Sequence, residues 1–417
     1  MIDYTALPKH DVLCIDMKSF FASVEAYHLG FDPMKVCLAV IGDRTIPSSI
    51  VLAASPMMKK RYGIGTGSRL YDIPRNRPDI QIVEARMGLY LDTSVAIGRL
   101  LNEFVPIEAI HPYSSDEFWI CTDGTEKLFG NRWEVARKIR AAIFKRFGIP
   151  SCIGIGPNKF LAKVILDVEA KTKGIAECQY EDVYRKLWPQ PIGNIWGIGR
   201  RMERNLGNLG IKTLGDLARS SVGSLKKKYG AIGEQLHNHA WGVDLSPVTG
   251  IYDPDFRKGF GHGITLPRLY SGKEITTVML ELAEEVCRRA RNAKQCGKTV
   301  HFGISYSQKT GGGFSCSRSF NEPTNVTIDV YRMCLQLFKE QYNGGKIRSI
   351  HLSLNNISPD DGVQLSLFTD RSKQRSLGYT MDQIRAKYGS TALLRAKSRT
   401  KAGVTVERSQ KIGGHKA

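Results

Sequence analysis

YSSDEFWI, residues 113–120, carries two adjacent carboxylates, Asp116 and Glu117, directly in front of a short aromatic and aliphatic run. Neighbouring acids repel each other, so clustering them is costly unless a cation neutralises them. Adjacent side chains on a strand point to opposite faces, but at a strand end or turn both can reach one ion. Taken alone, this segment favours an exposed Asp-Glu pair on a hairpin over a site for a hard cation such as Mg²⁺.

A third carboxylate, near the N-terminus, changes this balance. Val12–Ile15 is an apolar run that predicts a buried strand ending in Asp16, and Ser19 is the predicted N-cap of the helix that follows. An Asp in this position can also be a plain helix cap. Asp16, Asp116 and Glu117 nevertheless lie on two strand-like segments that can pair in one sheet. Two divalent ions held there would form the two-metal arrangement for in-line phosphoryl transfer.

Length and composition limit the classes of protein that need to be considered. The 417 residues exceed what one hydrophobic core organises, so three or four domains are expected. A formal net charge of +20 indicates a polyanionic partner, nucleic acid before membrane. The nine scattered cysteines include no C-x-x-C pair, which predicts reduced core residues and neither a disulfide framework nor a zinc site. Without a signal peptide or membrane-length apolar run, we expect a soluble, cytoplasmic, nucleoid-associated protein.

Four segments occur in the order found in a known family. DMKSFFASVE, YSSDEFWI, GIGPNKFLAKVILDVEAKTKG and GIGRRMERNLGNLGIKTLGDLA resemble the motifs of Y-family translesion DNA polymerases, and most of all those of the bacterial UmuC-like branch. The resemblance runs from about Asp11 to Phe368 and implies an α+β multidomain, right-hand polymerase. Its expected parts are a palm (1–19 and 86–175), fingers (20–85), a thumb with a helix-hairpin-helix (176–243), a linker (244–256), a little finger (257–356) and a basic C-terminal tail (357–417).

The resemblance also implies roles for the acidic residues. Asp16, Asp116 and Glu117 match the family's catalytic, metal-binding acids, and the backbone carbonyl of Met17 matches a further metal ligand. Two Mg²⁺ ions are therefore expected as cofactors. Many relatives have another Asp near position 121, where this chain has Cys121, so that position receives no catalytic role.

Three further side chains are implied at the incoming nucleotide. Phe21 matches the steric gate, a rigid ring that leaves no room for a ribose 2′-hydroxyl, while Phe20 is expected in the core; which of the two rings faces the nucleotide stays open. Lys60 and Lys171 match basic residues that contact the triphosphate. The alternatives are a solvated helix lysine for Lys60 and, for Lys171, an ordinary lysine that the dipole favours near a helix C-terminus; the triphosphate role is the one predicted for both.

The second half of the chain is expected to hold DNA. Gly197, Gly199 and Arg200 lie in the predicted helix-hairpin-helix, where glycines let the backbone approach a phosphate, although a bare G-x-G can be only a tight turn. Beyond the linker, the periodicity predicts two helices on a four-stranded antiparallel sheet. Candidates there for contacts to the DNA backbone are Arg257, Lys258, Arg268, Arg288, Arg289, Arg291, Lys298 and Arg318.

QLSLF, residues 364–368, matches the short motif by which bacterial polymerases bind the sliding clamp. The expected contacts are Gln364, Leu365, Leu367 and Phe368, and an ordinary strand or apolar patch is the alternative.

The C-terminal tail is strongly basic. Residues 371–417 contain 12 Lys and Arg against two Asp and Glu, a net charge of +10 that is half of the chain's excess positive charge. This composition predicts a partly disordered tail that binds DNA or a protein, or merely solubilises. Residues 381–394 are a candidate for a short helix on a partner.

The expected function is DNA-directed DNA polymerisation in low-fidelity translesion synthesis, on primed template DNA with deoxynucleoside triphosphates and tethered to the sliding clamp. UmuD-like or recombinase proteins are candidate accessory partners, and no membrane partner is expected. Damage-inducible expression is implied by the family alone. Two rivals remain: a helix-hairpin-helix repair nuclease, which shares the thumb signature and the metal acids, and a clamp-associated DNA-binding protein without catalysis.

Overall fold

The computed structural model describes residues 2–249, 257–361 and 372–416. The chain divides into two units, Met1–Tyr252 with His415–Ala417, and Asp253–Gly414. The strands are β1 (Val12–Met17), β2 (Cys37–Ile41), β3 (Val51–Ala54), β4 (Ile80–Glu84), β5 (Ile110–Pro112), β6 (Glu117–Cys121), β7 (Ser151–Gly156), β8 (Ile175–Glu177), β9 (Gly259–Tyr270), β10 (Gln295–Tyr306), β11 (Gly313–Thr324), β12 (Ile347–Pro359), β13 (Lys411–Ile412) and β14 (His415–Lys416).

A π-helical turn, Leu166–Ala170, joins two of the helices. The helices are α1 (Phe20–His28), α2 (Pro56–Tyr62), α3 (Met87–Leu101), α4 (Glu126–Phe129), α5 (Arg132–Phe147), α6 (Lys159–Ile165), α7 (Lys171–Lys173), α8 (Val183–Lys186), α9 (Arg200–Gly207), α10 (Leu214–Arg219), α11 (Val222–Tyr229), α12 (Ala231–Ala240), α13 (Gly272–Asn292), α14 (Thr327–Gln341), α15 (Ser372–Tyr388) and α16 (Thr405–Arg408). Within the described ranges, no helix is long and apolar enough to cross a membrane.

A five-stranded sheet in the order β5-β6-β1-β7-β8 forms the centre of the first unit. β1 pairs antiparallel with both β6 and β7, which confirms that the strand ending near Asp16 lies beside the strand of YSSDEFWI. Alternate residues of β1 enter two different cores. Leu13 and Ile15 pack with α1, α3 and α5, whereas Val12 and Cys14 pack with α6 and the helices that follow it. Helices on both faces therefore bury β1 and hold its end in place.

Two smaller parts complete the first unit. β2 pairs antiparallel with β3 and parallel with β4, and this three-stranded sheet has its own core with α2. Helices α9 to α12 share a core with α6, in which Phe160, Trp196 and Leu206 take part. These are the places expected for fingers and thumb.

The second unit contains a four-stranded sheet in the order β11-β10-β12-β9, with every neighbouring pair antiparallel. Apolar residues of α13 and α14 pack on one face of it, so the predicted two helices on a four-stranded antiparallel sheet are confirmed. Of the predicted linker, residues 250–256 lie outside the described residues, as does the QLSLF segment.

The prediction of a separate, partly disordered basic tail is wrong for residues 372–414. The helix predicted over 381–394 instead begins at Ser372 and ends at Tyr388. Ala402 and Val404 enter the core of the second unit, and Met381 is buried. The prediction was based on the net positive charge of the tail. Several of its arginines instead pair with acids elsewhere in the same unit, as described below.

All nine cysteines are free thiols, and eight of them are buried. This agrees with their interpretation as reduced core residues. Cys121 pairs with Val12 at the opposite end of β6 from Glu117. Its position gives no reason to add it to the acidic site.

Candidate active site

Asp16 and Glu117 face each other across neighbouring strands. Asp16 and Glu117 are directly paired in the register of β1 and β6, two residues along from the buried pair Cys14 and Trp119. Burial and the adjoining Glu117 carboxyl raise the pKa of Asp16 to about 7, and the ammonium groups of Lys171 and Lys163 only partly oppose this. Two largely buried carboxyl groups therefore lie side by side, and this arrangement disfavours the ionised form of Asp16.

Asp116 is held at the same end of the sheet by a tight turn. Ser114 Oγ accepts hydrogen bonds from the backbone N–H of Asp116 (3.3 Å) and of Glu117 (3.1 Å), and donates to Asp116 Oδ1 (2.8 Å). The N–H of Met17 donates to the carbonyl of Asp116 (3.0 Å). The sequence-predicted acids, together with the Met17 peptide, are thus brought to one place by strand pairing and a turn. The role of the Met17 carbonyl stays a prediction.

The donor set fits a hard divalent cation. Three carboxyl groups at one strand end supply the oxygen ligands that Mg²⁺ prefers. The side chains of Asp16 and Glu117 are largely buried and directly opposite each other, which raises the pKa of Asp16 and carries a cost that a bound cation would relieve. Asp16, Asp116 and Glu117 are the residues that would hold it.

Two lysines and an aspartate from one helical segment line the acidic site. Lys163, on α6, is buried, with its side chain 5% exposed, and pairs with Glu117 and with Asp167 (3.3 Å). Lys171, at the start of α7, lies 2.6 Å from Asp167 and 4.0 Å from Asp16. Burial by itself lowers the pKa of Lys163, but the hydrogen bond to Glu117 and the nearby acids outweigh it and raise the pKa.

Lys171 was expected from the sequence, whereas Lys163 and Asp167 were not. The K-x-x-x-D-x-x-x-K spacing of the three residues was a visible signal, because residues four apart on a helix meet on one face. The signal gave no indication of burial, however, and a helix lysine is normally solvated.

The fingers bring Lys59 to the acids. Its ammonium donates to Ser19 Oγ (3.0 Å), and burial lowers the pKa of Lys59 despite the opposing charge of Asp16. Lys60, the residue expected from the sequence, is exposed and has no ion-pair partner among the described residues. Any contact of Lys60 with a triphosphate stays a prediction, and Lys59 joins it as a candidate.

Ser19 occupies the predicted N-cap position of α1 but does not cap the helix with its side chain. Its backbone is left-handed, with φ of 48°, and its hydroxyl accepts from Lys59. A non-glycine residue held in this conformation carries strain, which clusters at functional sites. The strained residue follows β1 by two positions and so adjoins the acidic site.

The two adjacent phenylalanines have different surroundings. Phe20 is buried in the palm core, 3% exposed, whereas Phe21 is only partly buried. The ring of Phe21 stacks on Tyr90, with centroids 4.4 Å apart and an interplanar angle of 14°. Tyr90 in turn donates to Glu25 Oε1 (2.7 Å), and Arg86 binds the same carboxylate with two nitrogens. Phe21 is therefore the more accessible of the two rings, and it stacks on a tyrosine that the buried Glu25 holds in place.

The thumb residues lie at the start of a helix. Gly197 has φ of +89°, a conformation that favours glycine, and a side chain there would project into open space. Gly199 is the N-cap of α9, and Arg200 is its exposed first residue. The first N–H groups of α9 are consequently at the surface, as an anion-binding helix end requires.

Of the basic candidates in the second unit, Arg291 is excluded from DNA contact. Its side chain is 2% exposed, and it binds Asp382 through two nitrogens. Four others are more exposed but already pair with carboxylates of their own unit: Arg268 with Glu274, Arg288 and Arg289 with Glu285, and Arg318 with Glu340. Arg257, Lys258 and Lys298 are exposed and lack an acidic partner in the part of the chain that the structure describes.

Comparison with known families shows matches along most of the chain. Residues 15–167 match the impB/mucB/samB family, and residues 257–367 match the C-terminal domain of the same family. Residues 193–244 match the thumb domain of DNA polymerase-iota. The matched segments include Asp16, Asp116, Glu117 and the glycines before α9.

Individual relatives extend the likeness to the whole chain. A putative UV-damage repair protein, UvrX of Bacillus subtilis (strain 168), is 46% identical, with 100% of both chains covered. DNA polymerase IV 2 of the same organism is 41% identical over 97% of this chain and 98% of its own. Among solved structures, a Y-family DNA polymerase chimera of Dbh and Dpo4 matches with a TM-score of 0.66 and 25% identity, covering 83% of this chain and 99% of that one.

Proposed function

Because the chain belongs to the impB/mucB/samB family of Y-family DNA polymerases and is a DNA-directed DNA polymerase of the translesion type, we propose that Asp16, Asp116 and Glu117 form its reaction centre. The observation that carries this proposal is the direct pairing of Asp16 with Glu117 across β1 and β6. Placing these carboxylates close together is unfavourable without a cation, and a bound divalent cation would offset their repulsion.

The proposed reaction joins the primer 3′-oxygen to the α-phosphate of a deoxynucleotide and releases pyrophosphate. Two Mg²⁺ ions, when bound, would acidify the primer hydroxyl and neutralise charge on the leaving group. Asp16, Asp116 and Glu117 would hold these ions, and the Met17 carbonyl would contribute from the adjoining peptide. The turn at Ser114 fixes the direction of the Asp116 carboxylate before any substrate arrives.

Cationic side chains opposite the acids receive the triphosphate. Lys171 lies 4.0 Å from Asp16 and is half-exposed, so its ammonium can turn to a phosphate oxygen while remaining near the acids. Lys59 approaches from the fingers through Ser19, and Lys60 lies beside it on α2. Ammonium groups act on phosphates as point charges, which suits a substrate whose charge shifts during the reaction.

Phe21→Ala is expected to admit ribonucleotides. The partly exposed ring stacks on Tyr90, and its loss opens space where a 2′-hydroxyl would lie. We expect the ratio of kcat/KM for a ribonucleotide to kcat/KM for the matching deoxynucleotide to rise at least about tenfold, as for a pocket that gains room for one small group. Single-nucleotide insertion kinetics measure it. Phe21→Tyr, which keeps the ring, is the control, and unchanged sugar selectivity in Phe21→Ala would place the gate elsewhere.

DNA is proposed to contact the thumb and, separately, exposed cations of the second unit. Gly197, Gly199 and Arg200 are positioned to contact a phosphate at the N-terminus of α9. Arg257, Lys258 and Lys298 are exposed cations in the second unit. Such contacts to the DNA backbone do not depend on the base sequence, and the affinity they provide falls as the salt concentration rises. Between α1 and α3 the fingers are built on a small three-stranded sheet with the short helix α2, which supports loose checking of the base pair and hence low fidelity.

The QLSLF segment, which lies outside the described residues, is proposed to tether the enzyme to a sliding clamp in the cytoplasm. Changing Gln364, Leu367 and Phe368 together to Ala is expected to remove the stimulation of synthesis by the clamp and to leave basal extension unchanged. Tethering typically raises apparent affinity by about 10²–10⁴-fold, so the loss should be large. Primer extension with and without clamp measures it, with Thr369→Ala as the neighbouring control. A parallel fall in basal extension would show that the segment belongs to the fold.

A single gel distinguishes this function from its rivals. The purified chain is incubated with a 5′-labelled primer on a template, Mg²⁺ and the four deoxynucleoside triphosphates. Longer primers are the result we expect, and they should disappear in Asp116→Ala. Shorter products would indicate a repair nuclease. An unchanged primer, also after addition of the clamp, would indicate a DNA-binding protein without catalysis.

A further inference from the structure

Asp167 contacts both lysines of the site but neither of the paired acids. Its carboxylate lies 3.3 Å from Lys163 and 2.6 Å from Lys171. Lys163 in turn contacts Glu117, and Lys171 lies 4.0 Å from Asp16. Asp167 is thus linked to the paired acids only through the two lysines.

The ion pair between Lys163 and Glu117 presents a difficulty for the reaction. Glu117 is a proposed metal ligand, and the buried ammonium of Lys163 occupies one of its oxygens. A lysine with a 5% exposed side chain cannot turn to water when that oxygen is needed elsewhere. An unpaired buried charge is strongly unfavourable, so Lys163 requires a second anion within reach. Asp167 is that anion.

The local backbone places the side chains of Lys163, Asp167 and Lys171 on one face of the helical segment. In a regular α-helix, residues eight apart drift by about 80° around the axis, since each turn has 3.6 residues. Here the N–H of Lys171 donates to the carbonyl of Leu166, five residues earlier, and the wider π-helical turn cancels part of this drift. Gly154 of β7 permits the close approach, because a Cβ there would lie 2.1 Å from the carbonyl oxygen of Ala162.

We propose that Asp167 is a positioning residue of the polymerase: it takes the Lys163 ammonium from Glu117, which frees Glu117 for a divalent cation, and it holds Lys171 beside Asp16. This inference rests on the proposed reaction centre. When Lys163 moves from Glu117 to Asp167, only hydrogen bonds and ion pairs are broken and formed, and no proton is transferred. Asp167 touches neither substrate nor cation and acts only through the two lysines.

The test measures cation affinity without turnover. Mn²⁺ binding is followed by electron paramagnetic resonance in the full-length protein bound to primed template whose primer ends in a dideoxynucleotide. Asp167→Asn should weaken Mn²⁺ binding about tenfold, the low end of the effect of an outer-shell partner. Asp167→Glu, which keeps the charge, should restore most of the affinity. Glu169→Gln is the matched control on the same turn, because the ion pair of Glu169 among the described residues is with the exposed Lys173.

A double-mutant cycle with Lys163→Met decides whether Asp167 acts through Lys163. With no lysine competing for Glu117, Asp167→Asn should change Mn²⁺ affinity by less than about twofold. A full tenfold effect in that background, or no effect of Asp167→Asn in the intact chain, would overturn the inference. Asp16→Asn is the reference: if it also leaves Mn²⁺ binding unchanged, the proposed reaction centre itself is wrong, whereas loss of binding in Asp16→Asn alone contradicts only the role of Asp167.

Discussion

Asp16→Asn will stop primer extension and yet make the metal-free protein more resistant to heat. The carboxylate is one of the proposed ligands of the divalent ions, and losing several kcal/mol of transition-state stabilisation corresponds to a fall in rate of about 10³-fold or more. The amide has nearly the same shape and carries no charge. It therefore removes the repulsion between the paired carboxyl groups of Asp16 and Glu117, whose proximity, with burial, raises the pKa of Asp16.

Two measurements check this pair of opposite effects. Single-turnover extension gives the rate, and thermal unfolding at pH 8 with a chelator gives the stability. A gain of about 1 kcal/mol would raise the Tm of the first unit by roughly 2–4 °C. The control is Asp123→Asn, which changes an exposed acid beyond the other end of β6. A variant that loses activity because its Tm has fallen would contradict the prediction, since the acid would then be structural.

Asp382→Ala will strongly destabilise the second unit. Asp382 binds the Nε of Arg291 at 2.6 Å, and Arg291 is buried on α13, where it also donates to the carbonyl of Asn325 (2.8 Å). Removing the carboxylate leaves a buried guanidinium without its anion, which costs about 3–5 kcal/mol. We expect the Tm of this unit to fall by about 10 °C or more. Hydrogen exchange of peptides from α13 and α15 assigns the transition to this unit.

Two further variants show whether the effect comes from the buried charge. Glu407→Ala removes an ion pair with Lys411 that is partly exposed, and it should cost less than about 1 kcal/mol. Arg291→Met combined with Asp382→Leu removes both charges and should recover most of the lost stability. If Asp382→Ala unfolds no more easily than Glu407→Ala, residues 372–414 do not belong to the folded second unit.

The centre of the first unit could be predicted because its signals are local. Val12–Ile15 and the FWI run after Glu117 are short, apolar and bounded by acids, so two paired strands delivering carboxylates followed directly from the sequence. The four-stranded sheet of the second unit was predicted for the same reason, since alternation along β10 and β12 is regular. Resemblance to the family then assigned the roles.

The remaining features depend on contacts between distant parts of the chain. The choice between Lys59 and Lys60 depends on the rotation of α2 relative to Ser19, and a one-residue difference reverses it. The tail looks disordered by composition, but Arg385 and Arg395 both pair with Glu284, about 100 positions earlier in the chain. Asp360 is likewise buried against Arg375 and Tyr379. Basic composition cannot reveal such partners, because they lie on α13 and at the end of β12.

The most direct measurement of the role of the three clustered acids, Asp16, Asp116 and Glu117, is single-nucleotide addition to a primed template as a function of Mg²⁺ concentration. It compares the intact chain with Asp116→Asn and with Asp123→Asn, an acid outside the site. We expect Mg²⁺-dependent addition by the intact chain and by Asp123→Asn at similar rates, and a rate at least about 10³-fold lower for Asp116→Asn at every Mg²⁺ concentration. Equal rates for all three proteins would show that the carboxylates beside β1 and β6 are not the reaction centre.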